Sequence, residues 1–537
     1  MLLFSLKIIK KVIDLIGNIC YNNADYGICR KREETVMKEA TKEFLAQQEE
    51  LYAKRKEEIL NAKDELVIKG TAYYVSNSGD DNADGKSPET AWRTIDRVNK
   101  HWFLPGDGVL FKRGDLWRGK QVLAMSGVSY GAYGEGDKPK FYGGDEDMAD
   151  PSLWELIDKD HNIWKYTKEV IDPGTLVFNE GEKHSRKLIP SFRNMQFVCR
   201  DDESKPFVKE DEMTEDLDLF WFFDSILLYG ESKGEKFPIP ATRYQADCYG
   251  DLYLRCDEGN PGDVFDSIES IANRTAFRAG QNANVTIDNI CMKYLCFGVT
   301  AGGYSVGLHV TNCEIGWIGG NIQTYSGGDP NYPEGKRGSV TRFGNGIEIY
   351  GGCDDYVVEG NYIYEAYDAG ASHQVTTYKK LDMKNIRYTD NLIEKCVYGI
   401  EYFLDQKEGS EGSCMDNLVM NGNIIRLSGY GWGQQRHNTD TPALIKGWSY
   451  INTARNYSIY DNIFDRSGYR MLHLVAEKDE YCPEMHDNTY IQDIGGMIGQ
   501  WGGNEVKEPD IEIFDENAEE KIVNVFGEKN PKVYIIK

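Results

Sequence analysis

The sequence predicts an all-β fold, a solenoid of stacked coils preceded by an N-terminal helical segment. The first observation behind this is a recurring fragment: NVTIDNI, LHVTNCEI, YVVEGNYI, IRYTDNLI, VMNGNII and YSIYDNIF each place an Asn after alternating residues, with an apolar residue soon after it. The asparagines are Asn289, Asn312, Asn361, Asn391, Asn423 and Asn462, separated by 23, 49, 30, 32 and 39 positions. Such gaps are what a short repeated turn with loops of variable length produces. The second observation is that each Asn precedes another strand-like run, among them GASHQVTTY, GIEYFLD and RMLHLV. The third is composition, since 55 glycines beside 34 tyrosines and 21 phenylalanines describe turn-rich β structure. Asn suits the corner because it tolerates left-handed backbone geometry while its amide can bond to backbone and to the Asn one coil away.

Along the chain, residues 1–66 are expected to form the helical segment. MLLFSLKIIKKVIDLIGNIC is interrupted by Lys7, Lys10, Lys11 and Asp14, lacks a cleavage motif and is too short in its uncharged runs to span a bilayer. It reads as an amphipathic helix, or as translation from a start upstream of Met37. No membrane is expected, and a cytoplasmic location is preferred to export by a less obvious signal. Residues 31–66 carry mixed charges with spaced apolar residues and no Pro or Gly, an exposed helix pattern. Residues 70–100 give a strand, a polar turn and a helix starting near Ser87-Pro88. Asp80-x-Asn82-x-Asp84-Gly85 imitates a calcium loop, but the twelfth position is Ala91 where a bidentate Glu is needed. A hydrogen-bonded turn is the expectation, with Ca²⁺ the alternative and no other cofactor. Residues 105–200 read as short strands, and the acidic then aromatic stretch near 201–240 as an insertion. The coils run over 67–503, leaving 504–537 as a C-terminal tail with short strands.

The net charge of -26 and pI near 4.8 disfavour nucleic acid, whose phosphates need clusters of Lys and Arg. They also make neutral glycans easier partners than strongly anionic ones. Twelve cysteines, several beside strand-like apolar residues with no CxxC pair among them, read as buried free thiols in a reducing compartment.

The order of Asn-corner strand, turn and second strand, after the YYVSNSGDD and DGKSPETAWRTI segments, resembles the right-handed parallel β-helix proteins of the pectin-lyase-like superfamily over roughly residues 70 to 500. The resemblance implies that fold. It does not imply one activity, because the fold hosts lyases, hydrolases, epimerases and tailspikes.

Stacked coils turn residues distant in sequence into columns about 4.8 Å apart. Aligning leading glycines sets Gly346-Ile347-Glu348 against Gly399-Ile400-Glu401, with Asp368 in a turn and His373-Gln374 on the strand of the coil between. Glu348 and Glu401 are then on the order of 10 Å apart, and Asp368 roughly 5 Å from either. Glycoside hydrolysis needs two carboxylates at such separations. Asp368 with Glu401 is the preferred pair, one kept protonated by its neighbour, and Glu348 would tune them. Gln323, Gln374, Gln434, His373 and His473 are expected to bond sugar hydroxyls. Trp317, Trp432, Tyr350 and Tyr402 are expected to stack on pyranose faces. The loop 429–438, with Trp432, Arg436 and His437, and the insertion 324–343 are expected to wall the cleft.

This arrangement resembles β-helical glycoside hydrolases of the β-xylosidase and fucosidase–xylanase groups, in which an Asp and a second acid lie on neighbouring coils. That is carried over to Asp368 and Glu401 alone. The expected function is therefore a glycoside hydrolase acting on a plant-type or host oligo- or polysaccharide. A polysaccharide lyase or uronate epimerase is the alternative. It would need a base with Ca²⁺ or cations, and Arg387, Arg426, Arg436 and Arg470 fall at different coil positions. A non-catalytic glycan-binding solenoid would keep the groove and lose the acid pair.

Overall fold

In each coil a strand runs to a tight corner, a short second strand follows, and a second corner leads into a third strand. The computed structural model describes residues 39–537 except 160–161, 191–196, 200–218, 225–228, 233–234, 239–248, 326–339, 437–441, 449–452, 477 and 503–511. The N-terminal 20 residues, most of 201–240 and most of 324–343, for which expectations were stated, lie outside the described residues. Strands at equivalent coil positions pair in parallel and make three faces. The first runs from Ala72–Val75 to Glu484–His486, the second from Leu116–Arg118 to Lys532–Ile536, the third from Val122–Leu123 to Met497–Gly502. The chain is a right-handed parallel β-helix.

The first corner corrects the sequence reading in one respect. Left-handed geometry and ladder Asn fall on two successive residues, not one. Asn289, Asn312, Gly360, Asp390, Gly422, Asp461 and Asp487 all have φ between 51° and 65°. Asn, Asp and Gly are the residue types that tolerate this region at least cost. The next residue points inward: Asn361, Asn391, Asn423, Asn462 and Asn488 are at most 1% exposed. In the two preceding coils that position is held by Ile290 and Cys313, so Asn289 and Asn312 are corner residues outside the ladder.

Within the ladder each Oδ1 accepts the backbone N–H and the side-chain N–H of the preceding coil's Asn. For Asn361 to Asn391 these bonds measure 2.9 and 3.0 Å, and for Asn391 to Asn423 they measure 3.1 and 2.9 Å. The other Nδ2 hydrogen bonds a backbone carbonyl, as from Asn391 to Val358 O at 2.9 Å. The column ends on Glu528, whose carboxylate accepts from Asn488 and from the Tyr490 hydroxyl at 2.7 Å. No polar atom of the column is left unpaired, which is what allows it to lie inside an apolar core.

Inside the coils the core is Ile, Val, Leu, Tyr and Phe, with the cysteines among them. Among the described residues eight cysteines are free, and all but Cys482 are buried. The insertion is wider than the acidic stretch suggested. Lys140–Tyr142 pairs directly with the strand starting at Cys291, and most of the described residues between them fold outside the coils. Much of it is an antiparallel sheet including Trp154–Asp158, Ile163–Tyr166 and Tyr249–Cys256. This sheet has a core of its own around Trp154, Tyr166, Leu252 and Leu254. At the calcium-like loop, Asp80 accepts from the Asn82 backbone and side-chain N–H groups, each at 3.0 Å, and Asp84 from the Thr90 hydroxyl at 2.7 Å.

Helix Lys42–Leu60 lies along the second face. Its Tyr52 and Ile59 pack on Tyr362, Leu392 and Ile424, residues of three successive coils. Arg426 places its guanidinium over the Tyr52 ring at 4.5 Å and pairs with Glu49 of the helix, Glu394 and the buried Asp465. Before the helix, Ala40 N–H donates to Ile535 O at 2.8 Å, and in its first turn Phe44 stacks on Tyr534. After it, Asp64 pairs with Arg113 at 2.6 Å and accepts from Asn289 at 2.8 Å. A 19-residue helix is about 28 Å long, the height of about six coils. The segment therefore spans from the last coil to the early ones.

Replacing Asn391 by Ala strands the N–H groups of Asn361 and the carbonyl of Val358 inside the core. We expect a loss of about 2 to 4 kcal/mol, visible as a lower midpoint in urea denaturation followed by circular dichroism.

Candidate active site

The third face carries one outward column of polar residues. Parallel register places Thr300, Glu348, Ser372, Glu401, Lys446, His473 and Gln500 side by side on successive coils. The glycine alignment is reproduced, since Ile347 pairs with Ala371 and Ala371 with Ile400, so Gly346, Gly370 and Gly399 stack. A Cβ on any of the three would lie 2.4 to 2.8 Å from the carbonyl oxygen of the next coil. That close approach explains why glycine opens the strand in these three coils. Glu348 and Glu401 stand two coils apart, with Ser372 between them.

Asp368 lies just before the strand Ala369–Thr377, and its neighbour Ala369 pairs with Tyr398 of the coil carrying Glu401. Asp368 is 6% and Glu401 4% exposed. Arg436, in the loop that follows the next coil, donates from Nη1 to Asp368 Oδ1. Gln374 Nε2 donates to Glu401 Oε2 at 2.6 Å. The remaining oxygens, Asp368 Oδ2 and Glu401 Oε1, have no hydrogen-bond partner among the described residues. Asn345 ties the floor together, donating to Glu348 Oε2 at 3.0 Å and Ser372 Oγ at 3.3 Å and accepting from the Ala369 N–H at 2.8 Å.

The electrostatics separate the two acids. Burial, and then the charge of Asp368, push the Glu401 carboxyl from the ordinary 4.5 up to about 8, against Arg436, the Gln374 hydrogen bond and Lys446. Burial also raises Asp368, but the guanidinium of Arg436 in direct contact opposes it. Of the two, Asp368 holds the bonded cation and Glu401 does not, so Glu401 is the more readily protonated. Burial works against the charge on Arg436, yet Asp368, Tyr398 and Glu401 push its pKa above the usual guanidinium value. Tyr398 is flanked by both cations, Arg436 at 5.4 Å and Lys446 at 5.0 Å from its ring centre.

The sequence matches no protein-family model and no curated protein. Among solved structures it is similar to a GH136 lacto-N-biosidase from Eubacterium ramulus, at 11% identity over 92% of this chain and 72% of that one, with a TM-score of 0.39. It is also similar to a structure described as a glycoside hydrolase, at 10% identity, 87% and 95% coverage and a TM-score of 0.40. A polygalacturonase from Erwinia carotovora ssp. carotovora matches at 9% identity, 89% and 97% coverage and a TM-score of 0.28. The chemistry has to come from the residues of this chain.

Of the predicted site residues, the structure brings Asp368, Glu401, Gln374 and Arg436 together, with Glu348 two coils from Glu401 and His473 two coils beyond it on the other side. Four expected sugar contacts, His373, Tyr402, Trp432 and Trp317, are core residues instead. His373 and Tyr402 fall one position along from the outward column, so strand alternation turns both inward. His373 is fully buried, its Nε2 against the Cys353 backbone, and burial lowers its pKa to about 4. Tyr402 is 3% exposed and meets Tyr457 edge to face. Trp432 is 1% exposed, donates from Nε1 to Glu365 O at 2.7 Å and packs on Tyr367. Trp317 belongs to the same aromatic cluster, whereas Tyr350 is 37% exposed. The side chains of Gln323 and Gln434, and all of His437, lie outside the described residues. Of the arginines weighed for a lyase, Arg426 belongs to the helix contact, while Arg436 and Arg470 approach the column. Sequence reasoning missed Lys446 and Asn345. The signal for Lys446 was present, since the strand ALIKG repeats the Ile-then-charge order of GIE and Ile445 pairs with Ile400.

Because the folded pKa of Glu401 is about 8 and the unfolded value about 4.5, the folded state holds this proton more tightly, and that contribution to stability is lost as pH rises between the two. Glu401→Gln removes the penalty. The melting temperature of the variant relative to the parent protein should rise from pH 5 to about pH 8 and level off above it, measured by scanning calorimetry.

Proposed function

We propose that the protein is a glycoside hydrolase, with Glu401 as the general acid and Asp368 as the carboxylate that attacks the anomeric carbon or activates the water that does. The observation that carries this reading is the division between two adjacent buried acids, one pushed up to about 8 and the other held against Arg436. Glu401 would give its proton from Oε1 to the glycosidic oxygen as the C–O bond breaks, while Oε2 stays fixed by Gln374. Asp368 would act from Oδ2, its Oδ1 fixed by Arg436. The arginine keeps the nucleophile or base ionised next to an acid that is not. Asn345 and Ser372 would hold Glu348 and the intervening coil in place.

A lyase or epimerase draws support from one observation, the presence of Arg436 and Lys446 beside the acids, since such chemistry needs cations at a uronate carboxylate. Its product would carry a new double bond absorbing in the ultraviolet, which hydrolysis does not form.

The test is turnover of a panel of aryl glycosides by the parent protein and two variants. Asp368→Asn and Glu401→Gln should each lower kcat about 10³-fold or more with unchanged fold by circular dichroism. Rate should fall on the alkaline side near pH 8 as Glu401 loses its proton. Undiminished turnover in either variant would remove the acid-pair mechanism.

A further inference from the structure

The corner between the second and third faces is left-handed, and residues other than glycine hold it. The residues that follow the paired ends of the second-face strands are Tyr294, Trp317, Glu365, Lys395, Leu427 and Arg466, each with φ between 51° and 60°. A side chain held there at a cost in backbone free energy is one worth following. Glu365 sends its carboxylate to a separate segment. Its Oε2 accepts from the Trp432 backbone N–H at 2.9 Å, and its backbone carbonyl accepts from the Trp432 Nε1 at 2.7 Å. Lys395, on the next coil, approaches the other carboxylate oxygen at 3.4 Å. The two segments lie so close that a Cβ on Gly431 would sit 2.3 Å from Glu365 Oε2.

Glu365 stands three residues before Asp368, and Trp432 four before Arg436. Both stretches are short and held. Tyr367 packs on Trp432 with 4.9 Å between ring centres, and the Arg342 guanidinium lies 4.6 Å over the Tyr367 ring. On the other side, Trp432–Gln435 is one helical turn, closed by the Arg436 N–H on Gly433 O at 2.8 Å. The contact between Glu365 and Trp432 therefore ties the backbone before Asp368 to the backbone before Arg436, the two residues that meet at the site. Burial raises the Glu365 pKa, against the Trp432 N–H and Lys395. An apolar contact would hold the loop without that desolvation, whereas two directed hydrogen bonds also fix its orientation.

We infer that Glu365 is a positioning residue, which through Trp432 sets the reach of Arg436 to Asp368 and so decides which of the two acids is ionised. The inference deepens the glycosidase reading and rests on it for the roles of those acids. Asp368 faces Arg436, Lys446 and Glu401, while Glu365 faces Lys395 and Glu394. Releasing the clamp lets Arg436 withdraw from Asp368. Burial of that carboxylate is then no longer opposed by a bonded guanidinium, and its pKa rises. The proton that belongs on Glu401 would be drawn to Asp368 as well, and the division between acid and nucleophile or base would fail.

The test reads the charge on Asp368 without turnover, in Glu401→Gln protein, where Asp368 is the one member of the pair left to titrate. Adding Asp368→Asn removes its penalty, so the melting temperature of the double variant relative to Glu401→Gln rises with pH up to the folded pKa of Asp368 and levels off above it. Scanning calorimetry locates that levelling point. With Glu365→Leu added to both proteins it should move up by about one pH unit or more. With Glu365→Gln, whose amide oxygen can still accept the Trp432 N–H, it should stay near its original place. Trp432→Phe loses the indole N–H and keeps a ring against Tyr367, so it should move the point in the same direction by less, and it decides where Glu365→Leu does not fold. A melting temperature that falls while the levelling point stays put, or an equal move with Glu365→Gln, overturns the inference. Aryl glycosides separate this from the hydrolase reading. A levelling point that moves in a protein cleaving no glycoside keeps the clamp and removes the hydrolase, whereas cleavage whose acidic limb is unmoved by Glu365→Leu does the reverse.

Discussion

Everything in this molecule depends on parallel register between coils. A hydrogen-bonded ladder between neighbouring strands fixes each residue opposite one partner, and slipping by one position would exchange inside for outside along the entire coil. The Asn column enforces that register from within. Its amides satisfy one another only when corners stack directly, so five asparagines and a terminal Glu528 hold the coils to a common phase. The same phase sets Glu348, Ser372, Glu401, Lys446 and His473 in a row on the far face. Core order and surface chemistry are two results of one alignment.

The charges in that row are placed so that they work against one another. Asp368 and Glu401 could not both be ionised cheaply at their depth, and Arg436 decides which one is. The arginine comes from a loop, not from a strand, so the division between the two acids rests on one side chain reaching in from outside the coil. Tyr398, between Arg436 and Lys446, links that loop contact to the strand register.

Much of this was legible in the sequence because repetition is legible. The coil, the leading glycines and the register of Glu348 with Glu401 follow from a period that composition and spacing reveal. What escaped was what alternation decides within a strand. His373 and Gln374 are adjacent, and only the pleat puts one in the core and the other on Glu401. Trp432 looked like a sugar platform because exposed and buried tryptophans are spelled alike, and its burial comes from Tyr367 and Glu365, far away in sequence. The corner was misread by one residue for a related reason. Asn serves both a left-handed turn and an amide ladder, so Asn289 and Asn361 look equivalent although they occupy different positions.

Helix Lys42–Leu60 precedes the coils in the chain but touches the last of them through Ala40 and Phe44. During synthesis it leaves the ribosome before most of its docking surface exists. It can seat fully only after the strand Lys532–Ile536 has been made. An array of coils would otherwise be free to fray from either end, each rung answering only to its neighbours. By bridging distant rungs the helix acts as a late-closing clasp, coupling the opening of one end to the other and giving a linear stack the cooperativity of a closed body.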